Sequence, residues 1–253
     1  MRLKLRKPSS TQVSRILGIT GELLITFGVI VLMFLAWQLW INSAVVAQQQ
    51  GKIVAQNSKE WHSNAGTPAP GASKKPDGPA AAAPVFAGVT GSKIIGNLYI
   101  PRLGEASTRA VANGVDGPGN LNKGFYGRYP DSQWPGENGN FAVAVHRNGW
   151  GTGFTNSPTL RVGDKMYLET AEGYYIYTIR NQEYVLPTGV EVINPIPGSN
   201  AEAVTGQSLM TITTCNPNMG DGERLIFYGV LTGWRPATDG APAEIASMVK
   251  GNV

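Results

Sequence analysis

The residue types best suited to nucleophilic and acid–base chemistry are scarce in this chain: one cysteine, Cys215, and two histidines, His62 and His146. A thiolate is a strong nucleophile, yet a free cysteine also serves as a small buried hydrophobe, so its setting decides between the two. The run LMTITT at 209–214 alternates as a strand, and Cys215 is followed at once by Asn216, Pro217 and a glycine-containing loop. Cys215 therefore ends a strand, where a rigid scaffold presents a side chain and a loop shapes the pocket beside it. His146 closes the run FAVAVH in the same way, just before RNGWGTGF. Arg224 opens the next strand, nine residues beyond Cys215, and antiparallel pairing of the two strands would return it to the level of the cysteine. Cys, His and Arg at strand ends form a complete set for acyl transfer. The thiolate attacks a carbonyl, an imidazolium protonates the leaving amine, and a guanidinium stabilises the oxyanion. Taken alone, Arg224 reads as a surface partner of Glu223 or Asp221, and His62, in a polar stretch beside a linker, as a solvated side chain. No grouping of His, Cys and carboxylates has metal-ligand spacing, so neither a metal nor another cofactor is expected.

Strands must hold these residues. The segments 96–101, 141–146, 165–170, 174–180, 183–187, 209–215 and 225–231 are rich in Val, Ile, Thr, Tyr or Phe. Between them lie GENGN, RVGDK, TAEGY and MGDGE, which supply the backbone freedom of tight turns. The pattern predicts about seven or eight strands and no long helix, with at most a helical turn or two at 200–205 and around Val111. Closure into a small β-barrel would remove the exposed sheet edges.

The charge pattern argues against a polyanion-binding module. Five basic residues, Arg2, Lys4, Arg6, Lys7 and Arg15, precede the first acid, Glu22, whereas residues 85–234 carry ten Lys or Arg against twelve Asp or Glu. The basic residues instead flank an apolar run at 16–40, which is 25 residues long with the single charge of Glu22. At roughly 1.5 Å per residue this is about 37 Å of helix, enough to span a bilayer. Residues 44–47, AVVA, resemble a cleavage site, but a secretory signal has an apolar core of only about 7–15 residues, so a retained anchor is expected. Trp37 and Trp40 suit the far interface, Glu22 reads as snorkelling to the near headgroups, and the positive-inside rule leaves the N-terminus cytoplasmic. The chain thus divides into a basic N-terminus (1–15), an anchor (16–46), a stalk and Pro/Ala/Gly-rich linker (47–84), a β domain (85–236) and a short tail (237–253). No nucleic-acid partner is expected.

LMTITTC at 209–215, with Arg224 nine residues on and His146 upstream, resembles the signature of the sortase family, a TLxTC-type strand followed by an arginine. The plan of basic N-terminus, membrane span, linker and β domain is similar to that family too. TTCNP, YPDSQWPGENGN at 129–140, HRNGWGTGF at 146–154 and VLPTGVEVINPIPG at 185–198 look like its class E group. One departure is Val145, where many class E members carry glycine before the histidine. The resemblance implies an all-β fold, a sortase-type eight-stranded closed barrel with short helical turns behind one transmembrane helix. It also implies a transpeptidase that cleaves an LAxTG or LPxTG sorting signal between Thr and Gly. Cys215 becomes the nucleophile, His146 the acid and base, and Arg224 the oxyanion and substrate stabiliser, with Tyr129, Thr214 and Asn216 as substrate-binding residues. Its partners would be surface proteins bearing sorting signals and, as acceptor, an amine of a peptidoglycan precursor or a pilin lysine. Two other readings stand beside it: a different extracytoplasmic cysteine peptidase or acyltransferase, and a noncatalytic wall-associated binding protein in which Cys215 is dispensable.

Overall fold

The computed structural model describes residues 10–37, 41–65, 76–199 and 206–250. Expectations for Arg2, Lys4, Arg6, Lys7, Trp40, residues 66–75 of the linker and the helical turn at 200–205 lie outside the described residues. The chain forms two compact units, residues 1–42 and 43–253. The first contains helix α1 (Ser10–Ala36), of which Ser14–Ala36 is long and apolar enough to cross a membrane, with a mean hydropathy of 2.3.

The second unit is built on nine strands. They are β1 (Gly78–Pro79), β2 (Ile94–Tyr99), β3 (Arg109–Asn113), β4 (Tyr126–Arg128), β5 (Gly139–Ala144), β6 (Lys165–Glu169), β7 (Gly173–Val185), β8 (Ser208–Asn216) and β9 (Glu223–Pro236). The sheet runs β9-β7-β6-β2-β3-β4-β5-β8, and β8 pairs again with β9, so eight strands close into a barrel and β1 adds a short edge to β9. Closure leaves no barrel strand with a free edge for another chain to join. Alternation sends Val111, Phe141, Val143, Met210, Ile212, Leu225 and Phe227 into the barrel, where aromatic edges seal the packing: Phe154 meets both Tyr126 and Phe227 at near right angles.

Part of the outer surface is covered as well. Helix α2 (Asn42–Ala65) buries Val46, Gln50, Val54 and Ser58, and α3 (Ala246–Lys250) buries Met248 and Val249. Val54, Met248 and Val249 join Tyr99, Ala110, Ala112, Tyr167 and Tyr174 in a second apolar cluster. A buried carboxylate pins α2: Glu169 accepts from Ser58 Oγ at 2.6 Å, Tyr99 Oη at 2.8 Å and Asn97 Nδ2 at 2.9 Å. Burial alone would push its pKa up, but the hydrogen bonds from His62, Ser58, Asn97 and Tyr99 outweigh that and hold it below the ordinary value.

The polar stretch 48–61, which reads in the sequence as a possible continuation of the helix by a few turns, is part of α2 and packs on the barrel, and α3 falls in the tail stretch EIASMVK, where a helical turn or two is expected. Other expectations are corrected. His62 is not freely solvated: it is 29% exposed, its Nε2 is hydrogen-bonded with Tyr174 Oη at 2.9 Å, and it lies 3.2 Å from Glu169. The stretch around Val111 is strand β3 rather than a helical turn. The two strands expected at 174–180 and 183–187 are one strand, β7, which keeps pairing with β9 through two register irregularities.

Candidate active site

The strand register brings the three expected residues together. Cys215 on β8 lies directly opposite Arg224 on β9. On the other side, β5 runs parallel to β8 with Ala144 opposite Thr213, and the backbone pairing continues from Val145 N to Thr213 O at 3.0 Å. His146 follows two residues past the end of β5, beside the end of β8 that carries Cys215. Ile212 and Leu225 point inward, so alternation turns Cys215 and Arg224 to the outer face at that end of the barrel.

His146 is part-buried. Its Nε2–H donates to Asn122 Oδ1 at 2.9 Å, and its ring stacks on Trp150, with centroids 6.2 Å apart and planes inclined by 28°. Burial lowers its pKa below that of a free histidine. The loop that delivers Trp150 takes unusual backbone conformations: Gly149, Trp150, Gly151 and Thr152 all have positive φ, at 65°, 40°, 97° and 52°. For Trp150 and Thr152 this region is sterically unfavourable, a strain found where a loop must aim a side chain.

Arg224 donates from Nη1 to the backbone carbonyls of Asp221 at 2.7 Å and Glu223 at 3.0 Å. Among the described residues no carboxylate pairs with it, so the surface ion pair that the sequence allowed is not formed. The Glu223 carboxylate instead accepts from Asn216 Nδ2 at 2.7 Å. Asn216 Oδ1 in turn accepts from Arg147, a buried guanidinium immediately after His146. The Asn216 side chain therefore ties the cysteine strand to the histidine segment and to β9.

Beside Arg224 an open groove of about 390 Å³, open solvent included, runs over Tyr129, Thr213, Ile226, Val192 and Pro187. Tyr129 Oη and Thr213 Oγ1 lie 2.8 Å apart in a hydrogen bond. Thr214 is buried and donates to Val145 O at 2.9 Å; its neighbour Thr213, also buried, shares the outward face with Cys215 and lines the groove. The period-two alternation of a strand, counted back from the cysteine, was the signal that singles out Thr213. Asn122 and Arg147 also went unseen in the sequence. The sequence signal for Arg147 is no more than its place next to the histidine, and Asn122 sits in a turn where asparagine is common.

The sortase-domain family model matches residues 98–232, more than half of the chain. This chain belongs to the sortase family. It is 30% identical to sortase SrtE1 of Streptomyces coelicolor over 248 residues, which cover 96% of this chain and 64% of that relative. It thus spans less than two thirds of SrtE1. The fold matches that of sortase E from Streptomyces avermitilis with a TM-score of 0.55 at 35% identity, over 62% of this chain and 99% of that one. It also matches a SrtA sortase from Actinomyces oris with a TM-score of 0.61 at 30% identity, over 64% and 93% of the respective chains. The sortase reads as a class E member. Its eight-stranded closed barrel agrees with the fold that the sequence resemblance implied.

Proposed function

We propose that this sortase is a membrane-anchored cysteine transpeptidase acting on a C-terminal sorting signal outside the cytoplasmic membrane. The observation that carries the reading is Cys215 on β8 directly opposite Arg224 on β9, with His146 just past the end of the neighbouring strand β5. The Cys215 thiolate attacks the carbonyl carbon of the signal's threonine. Arg224 stabilises the negative charge that develops on the carbonyl oxygen. The C–N bond to the following glycine then breaks, and imidazolium His146 gives its proton to the leaving amine, which leaves a Cys215 thioester. An incoming amine attacks the thioester, its proton passes to His146 and the thiolate departs. The site has both an acid and an oxyanion stabiliser, so a noncatalytic wall-binding role leaves it without purpose.

The groove beside Arg224 would receive the residues preceding the scissile bond, with Tyr129 and Thr213 as its polar pair and the alanine or proline of an LAxTG or LPxTG signal lying near them. Asn216 acts by framing the cysteine. Surface proteins carrying such signals are the donors, and an amine of a peptidoglycan precursor or a pilin lysine is the acceptor. Helix α1 serves as the single-span anchor, with the basic N-terminus cytoplasmic and the barrel outside. The test is cleavage of fluorogenic LAxTG and LPxTG peptides by the full chain in detergent. The parent cleaves one or both and Cys215→Ala cleaves neither. Cleavage that survives in Cys215→Ala contradicts the nucleophile assignment.

A further inference from the structure

The histidine of this site is held from behind by the helix that follows the membrane segment in sequence. Asn122, which accepts from His146 Nε2, lies in the 3-10 turn Leu121–Lys123. The next residue of that turn, Lys123, accepts at its carbonyl from Gln50 Nε2 of α2 at 2.8 Å. Gln50 is fully buried, and its Oε1 also accepts from Ala110 N of β3 at 3.1 Å, so one side chain ties the turn to both helix and barrel. Val46, one turn earlier on α2, packs into the same place. A Cβ added at Gly124 would stand 2.7 Å from Val46 Cγ1, 3.1 Å from Gln50 Cγ and 3.1 Å from Trp150 O. One added at Gly151 would stand 3.3 Å from Val46 Cγ1. The two glycines sit beside the two residues that touch the imidazole, Asn122 and Trp150, and both are pressed against α2. Arg109 closes the arrangement by donating from Nη2 to Gly151 O at 2.8 Å.

We propose that Asn122 is the positioning residue of His146, and that α2, through Gln50 and Val46, holds the Asn122 turn against the imidazole. The juxtamembrane helix is then part of the catalytic scaffold and not a spacer. A neutral amide oxygen at this point accepts the Nε2 proton and fixes the ring without a full negative charge. The charge of a carboxylate there would favour the imidazolium. The ionisable groups lining the pocket around the ring are Arg109 and Tyr126; Lys123 adjoins Asn122, Cys215 and Arg224 share the register row, and no carboxylate lines the pocket. A substitution to aspartate is therefore a clean electrostatic probe.

The proposal rests on the transpeptidase reading of His146, so its test has one arm that needs no turnover. The full chain has only two histidines, and the imidazole of His146 can be titrated by NMR with His62→Gln as the assignment control. Asn122→Asp is expected to raise the His146 midpoint by roughly one pH unit or more, with the melting temperature within a few degrees of the parent. Asn122→Ala is expected to lower kcat on a sorting peptide by about tenfold or more with KM little changed, and Asn122→Asp to recover part of that loss at a shifted pH optimum. Gln50→Ala should lower kcat in the same direction as Asn122→Ala. An unmoved His146 titration in Asn122→Asp overturns the proposal, as does a kcat within twofold of the parent in Asn122→Ala. Parent-like kcat in Gln50→Ala overturns the part given to α2. If the parent itself turns over no sorting peptide, the functional reading fails, while the titration still decides the position of Asn122.

Discussion

At the scale of single residues, the chemistry depends on which side of a strand a side chain takes. Cys215 and Thr213 share the outward face of β8, where Thr213 lines the groove, and Thr214 faces the interior, so Thr213→Val and Thr214→Val should separate. Thr213→Val removes the partner of Tyr129 and is expected to alter KM for the signal peptide. A double-mutant cycle with Tyr129→Phe should give a coupling of about 1 kcal/mol or less in transition-state binding, the size of one neutral hydrogen bond. Arg224→Lys keeps the positive charge but loses the planar fork that reaches the oxyanion. A rate loss of roughly two orders of magnitude is expected in single-turnover cleavage. A loss of less than threefold would reduce Arg224 to the surface role. The low pKa of His146 also has a direction in stability. Because the folded ring binds its proton less readily than an unfolded one, its contribution is fully present above the ordinary histidine value, about 6.5, and diminishes as pH falls through that value toward the lower folded pKa.

At the scale of elements, the site exists because β5 runs parallel to β8 and β9 returns antiparallel to it, so the end of β8 and the start of β9 lie side by side. Removing the aromatic that braces the barrel wall should be costly: Phe154→Ala is expected to lose about 3–5 kcal/mol in denaturant unfolding, since its ring fills space between Tyr126 and Phe227. Helix α2 has a different dependence, resting on Glu169. Because that carboxyl is held below its unfolded value, it stabilises the docked helix above the unfolded pKa of about 4.3, and the contribution is lost as pH falls through the depressed folded value. Hydrogen exchange of α2 amides should therefore stay slow at pH 5 and quicken only well below the ordinary carboxylate range. Glu169→Gln should quicken it already at neutral pH.

These elements also explain what could be read from the sequence. The ends of β5 and β8 were legible because Gly149 and Pro217 stop the alternation within a few residues of His146 and Cys215. Strand β3 was not, because Val111 faces the core while Ala110 and Ala112 lie under the outer apolar cluster, so the polar half of the alternation is missing. The packing of helix α2 on the barrel was hidden for the opposite reason. Its barrel-facing residues include Gln50 and Ser58, which look solvated in sequence but find buried partners from strands far along the chain. Asn122 and Arg147 belong to the same class, since their meaning comes entirely from partners that the fold supplies.

At the scale of the whole molecule, an apolar helix precedes an enzyme barrel, and the reading places the two on opposite duties of anchoring and catalysis. The full chain expressed in a Gram-positive host should stay in the membrane fraction after carbonate extraction, with the barrel accessible to protease added outside the cell. Protection of the barrel in intact, wall-stripped cells would reverse the orientation. The central claim remains that Cys215 carries the acyl group between donor and acceptor, and intact-mass analysis tests it most directly. The full chain, incubated briefly with an LAxTG or LPxTG peptide and quenched in acid, should gain the mass of the peptide up to its threonine. That adduct should map to Cys215 and disappear on treatment with hydroxylamine or an amine acceptor. An unmodified Cys215 under conditions where the peptide is cleaved, or the same adduct in Cys215→Ala, would contradict it.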